Sequence, residues 1–77
     1  MIKEIEKGLY KIAANHGIEF TIKATPAARG ELYISVYGEG GFLRSYFIDK
    51  NQLEKTLKTY EKAKRYFTIS VRRREEV

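Results

Sequence analysis

Apolar residues recur at three-and-four spacing through Ile2, Ile5, Leu9, Ile12 and Ala13, a stripe that predicts an amphipathic helix from Ile2 to His16. Gly17 supplies the left-handed residue a helix end favours, and His16 stands where its ring can meet the last carbonyls. Gly8 would cost about 1 kcal/mol in a helix interior, so it marks an expected close approach of another backbone. The period then changes. Ile18, Phe20, Ile22 and Ala24 alternate with Glu19, Thr21 and Lys23, which is the pattern of a strand with one buried face. After a loop from Thr25 to Gly30, Leu32, Ile34 and Val36 alternate with Tyr33, Ser35 and Tyr37. Gly38, Glu39, Gly40 and Gly41 make a glycine-dense hairpin connection, and Phe42 to Ile48 form a third strand.

Asp49 carries the strongest local signal. As an N-cap with Gln52 three residues on, it resembles a capping box, and Ile48 with Leu53 has the spacing of a hydrophobic staple. A second helix is predicted there, with Leu53, Leu57, Tyr60 and Ala63 on its apolar stripe and Lys50, Lys55, Lys58, Lys62, Lys64 and Arg65 around the rest. Phe67, Ile69 and Val71 return to strand period, and the charged end from Arg73 to Val77 reads as a tail. The pattern predicts one α+β domain over 1–77 in the order α-β-β-β-α-β. Its four-stranded mixed sheet is an antiparallel meander plus one parallel strand, reached through the helical crossover. Strand order 1-2-3-4 is favoured over 4-1-2-3, because Glu19 and Lys23 suit an edge strand. Both helices are expected on one face, over the row Phe20, Ile22, Leu32, Ile34, Val36, Leu43, Phe47, Ile69 and Val71.

The opposite row is where function is expected. Tyr33, Ser35, Tyr37, Arg44 and Tyr46, flanked by Lys23, Arg72 and Arg74, would stand uncovered. Tyrosines on an open sheet face can stack bases, while Lys23, Arg44, Arg72 and Arg74 neutralise phosphates. Tyrosine is also a good strand former that stabilises a sheet without any ligand, and Tyr and Arg dominate protein interfaces. Composition decides between the binding readings. The 77 residues carry 15 basic against 10 acidic groups, a net charge of +5 and a pI of about 9.6, which favours a polyanion partner. The expected function is therefore a small non-enzymatic module binding DNA or RNA. The alternative is a protein-binding or inhibitory module, of the phage or mobile-element type, or a homodimer, using the same face.

Other chemistry finds little support in the residues. With no cysteine and His16 as the one histidine, neither disulfides, thiolate metal sites nor the usual nucleophile-base pairs are expected. Glu19, Glu31, Glu39 and Asp49 lack the spacing of a metal site, so no metal or cofactor is expected. The glycines at 38, 40 and 41 lead into a strand, whereas phosphate loops lead into a helix. The chain has no apolar run of membrane-spanning length and its first residues lack a signal peptide's apolar stretch, so the expected address is the cytoplasm, away from membranes.

The element order resembles, in topology alone, the core of the PD-(D/E)xK nuclease superfamily. Glu31 would match the family's first acid, but Phe42 to Ile48 contains no acid-x-lysine, so the resemblance does not imply nuclease activity. The α-β-β-β-α part is also similar to the double-stranded RNA-binding domain. There the second helix should begin with a lysine cluster, and this one begins Asp49-Lys50-Asn51-Gln52.

Overall fold

A computed structural model of the chain describes residues 1–64. The strand expected at Phe67–Val71, the tail, and Arg72 and Arg74 lie outside the described residues. Five strands follow one another: β1 (Ile2–Glu6), β2 (Leu9–Ala13), β3 (Glu19–Pro26), β4 (Glu31–Gly38) and β5 (Gly41–Asp49). A 3-10 turn over Lys50–Gln52 leads into the helix α1 (Leu53–Glu61). The strands form one antiparallel sheet in the order β1-β2-β3-β4-β5. The predicted four-stranded mixed sheet with two helices is therefore corrected, among the described residues, to a five-stranded antiparallel meander with one helix. The topological likeness to the nuclease core and to the double-stranded RNA-binding domain goes with it. No helix among the described residues is long and apolar enough to cross a membrane.

The first helix is replaced by a hairpin for a reason visible at Gly8. The β1–β2 turn is Lys7–Gly8, and Gly8 adopts φ +81°, which an L side chain rarely does. The Ala24 amide of β3 donates to the Gly8 carbonyl at 2.7 Å, and a Cβ on Gly8 would sit 2.7 Å from the Ala24 oxygen. The expected close backbone approach is real, but it belongs to a turn. Ile2 and Ile12 satisfy helical spacing and also face each other across the hairpin, with Ile12 opposite Phe20 in turn. Tyr10, Ile12 and Ala14 supply the period-two row that packs on the core. With no helix there to end, Gly17 (φ +75°) instead closes the 3-10 turn Asn15–Gly17 between β2 and β3.

The predicted cap is displaced: Asp49 caps the 3-10 turn Lys50–Gln52, and α1 itself begins at Leu53 with no side-chain cap from Gln52. The Asp49 carboxylate accepts from the Asn51 amide at 2.9 Å, and Ile48 and Leu53 both pack against the core. Leu57, Tyr60 and Ala63 are buried with Ile12, Phe20, Ile22, Ile34 and Val36. Burying Leu57 and Tyr60 contributes on the order of 1.5 to 3 kcal/mol each. Tyr60 meets Phe20 edge-on, with ring centroids 5.0 Å apart. The helix touches β1 and β2, and Glu61 at its end lies 2.7 Å from the Met1 amine. It thus covers one face of the sheet, leaving the chain beside the β1 edge.

Candidate nucleic-acid interface on the open sheet face

Cross-strand partners share a face, so the register identifies the side chains opposite α1. One row runs Lys3, Lys11, Thr21, Tyr37, Phe42 from β1 to β5. The next runs Leu9, Lys23, Ser35, Ser45, and the third Thr25, Tyr33, Phe47. Cations therefore stand on β1 to β3 and aromatics on β4 and β5. Four strand spacings, about 19 Å, separate the two edges. Among the described residues nothing lies over this face. Tyr33, Tyr37, Phe42 and Phe47 are 37%, 38%, 59% and 44% exposed.

The aromatics form two pairs. Tyr33 and Phe47 are 4.9 Å apart between centroids with planes inclined at 55°, and Tyr37 meets Phe42 edge-on at 5.7 Å. The Tyr33 hydroxyl donates to Ser45 Oγ at 2.6 Å, which fixes that ring along the sheet surface. Lys23 is opposite Ser35, so it is the diagonal neighbour of both Tyr33 and Tyr37. Acids occupy the ends of the strands: Glu6 beside Leu9, Glu19 beside Ala13, and Glu31 beside Asp49. A shallow groove of about 390 Å³ opens next to the Thr21–Tyr37 pair, between Lys11, Ala13 and Glu19 on one side and Gly38 and Glu39 on the other.

Of the residues expected on this face, Lys23, Tyr33, Ser35 and Tyr37 are there. Arg44 and Tyr46 are not. Arg44 is opposite Val36 and Tyr46 opposite Ile34, both on the α1 side, whereas Leu43 and Phe47, expected in the core, are at least a third exposed. The cause is a bulge. The Gly38–Gly41 hairpin alone would place Tyr37 opposite Phe42 and Tyr33 opposite Tyr46. One extra β5 residue at Phe42–Leu43 shifts the register, so that Tyr33 faces Phe47. A slip of one residue inverts every later side chain. Tyr46 tolerates the inner side because its hydroxyl shares a hydrogen bond with Tyr60 at 2.8 Å. Burial, followed by that contact, pushes the Tyr46 phenol well above its ordinary value. A hint was present in the sequence, since the unbulged register would bury Ser45 opposite Ile34.

Lys3, Lys11, Leu9, Phe42 and Phe47 were missed on this face. The lysines were hidden by the helical reading of 2–16, and Phe47 by the bulge. Arg29 sits in the β3–β4 turn with φ +62°, a left-handed conformation unusual for a non-glycine residue. Comparison with family models, curated proteins and solved structures finds no match for this chain.

Proposed function

We propose that this protein is a non-enzymatic module that binds single-stranded nucleic acid, DNA or RNA, across the open face of its sheet. The observation that supports this reading best is the placing of Lys23 between two exposed aromatic pairs on adjacent strands. Bases would stack on Tyr37–Phe42 and Tyr33–Phe47, with phosphates directed toward Lys23, Lys11 and Lys3. Stacking of this kind is tolerant of sequence and is worth about 1 to 3 kcal/mol per base. The acids at the strand ends confine the cationic track to the middle rows, so a short oligonucleotide of a few bases suits the face.

Fluorescence anisotropy with oligo-dT and oligo-U over a salt series tests the proposal. If Lys3, Lys11 and Lys23 each neutralise one phosphate, log affinity should fall with log salt at a slope of about −2. Lys23→Ala should reduce that slope by about 0.7. Tyr37→Ala or Phe47→Ala should weaken binding by about 1 to 3 kcal/mol at nearly constant slope. Tyr46→Phe, on the helix side, should change neither. Absence of binding at low salt refutes the reading, as does binding that depends only on Lys55 and Lys58 of α1 and Lys62 just after it.

A second reading, a protein partner on the same face, is favoured by one observation. Leu43 joins the aromatics to form an apolar centre, and Glu6, Glu19 and Asp49 with the lysines give a rim of both signs. A protein partner would bind without the steep salt dependence.

A further inference from the structure

The two edges of the sheet differ in how they are protected. β1 is five residues long, carries Lys3, Glu4 and Glu6, and has an irregularity between Glu4 and Glu6. Those are the devices by which natural sheets discourage pairing at an edge. β5 is nine residues long and contains neither lysine nor proline; its bulge lies at the Phe42–Leu43 end and its charges are Arg44 and Asp49, and from Arg44 to Asp49 it keeps an unbroken ladder with β4. Among the described residues no strand pairs with its outer side. Phe42, Leu43 and Phe47, all on β5, are exposed as well.

We propose that the outer edge of β5 pairs antiparallel with β5 of a second copy, joining two five-stranded sheets into one. A two-fold axis perpendicular to the sheet satisfies the geometry. It keeps the open faces of both copies on the same side and sets same-face side chains of one β5 against those of the other. Ser45, Phe47 and Leu43 then meet their counterparts, so apolar area exposed in one copy covers the same area in its partner. A second copy is favoured over the chain's own remaining residues by where the helix ends. α1 finishes beside Met1 at the β1 edge, so residues 65–77 begin at the side of the sheet remote from β5.

Sedimentation velocity over a concentration series, with no nucleic acid present, should show a monomer–dimer equilibrium. Because each copy carries a net charge of +5, association should strengthen with added salt, the opposite sign to oligonucleotide binding. Ser45→Lys places like charges near the two-fold axis and should weaken the dimer by about fivefold, the upper range for like charges directly opposed. The sedimentation series contains no nucleic acid, so failure of this proposal and failure of the binding proposal are distinguishable. Amide hydrogen exchange should show protection of residues 44–48 that rises with protein concentration. A monomer at every concentration overturns the proposal, and so does a dimer whose new protection maps to β1 or leaves β5 unchanged. Protection of β5 that is independent of concentration also overturns it, since the chain's own residues 65–77 would then cover the edge.

Discussion

Replacing Gly8 with alanine separates a hairpin from a helix by the sign of the effect. In a helix interior the change would stabilise the protein by about 1 kcal/mol. In the hairpin it must destabilise, for two additive reasons. The backbone at φ +81° costs an L residue about 1 to 2 kcal/mol. The new Cβ would also stand 2.7 Å from the Ala24 carbonyl oxygen, a backbone atom held by its own ladder, and overpacking of this kind costs about 1 to 3 kcal/mol. Relief by moving the turn would weaken the 2.7 Å hydrogen bond from the Ala24 amide to the Gly8 carbonyl. The expected loss is about 2 to 5 kcal/mol. A chain of 77 residues has a total stability of only about 4 to 12 kcal/mol. The midpoint of a thermal melt followed by circular dichroism should therefore fall by at least about 8 °C. Gly17→Ala is the control. Gly17 has a similar φ of +75° with nothing within 4 Å of where a Cβ would stand, so it reports the backbone strain alone. If Gly8→Ala raised the midpoint, or lowered it no more than Gly17→Ala, the packing of the turn on β3 would be refuted.

Asp49→Ala should cost about 0.5 to 2 kcal/mol in a urea melt by leaving the Asn51 amide without its carboxylate. Tyr60→Phe removes the partner of the Tyr46 hydroxyl and should cost about 1 to 3 kcal/mol, read in the same melt. The Tyr46 phenol is raised by burial and then by Tyr60, and the Tyr10 phenol by burial and then by Glu4. Both favour the neutral form in the fold, so the stability they contribute is fully present below the ordinary tyrosine value of 10.0 and is lost as pH rises above it. Tyr46→Phe should flatten the alkaline slope of stability above pH ~10 in a pH series of melts.

Where the sequence was legible, one physical signal acted alone. The alternations through β3 and β4 gave the face of Ile22, Ile34 and Val36 directly, because no other period fits them. Asp49 was legible because capping is local. The misreadings came where two signals competed. Between Ile2 and Ala13 the apolar positions fit both a helical stripe and an alternating hairpin, and what decided was a contact with Ala24 that no local window contains. In β5 the alternating rows are both mixed, so its phase rested on the residue count through the hairpin, and the bulge changed that count by one. The candidate site consequently kept Tyr33, Tyr37 and Lys23 on β3 and β4 and exchanged Arg44 and Tyr46 for Phe42 and Phe47.

The meander has a kinetic consequence. Each described strand pairs with its neighbour in sequence, and the widest rung among them joins Glu31 to Asp49, so the loops between them are short ones to close. Such a low-separation topology favours rapid folding for a protein built mainly of strands, since each hairpin can register before the next is added. The exception is α1, which follows β5 in the chain yet packs on β1 and β2 at the other end of the meander. Helix docking closes the longest loop and buries Leu57 and Tyr60 on residues from the start of the sequence. It is the step that turns a string of local hairpins into a single cooperative unit, and the one after which Ile12 and Phe20 are sealed from water.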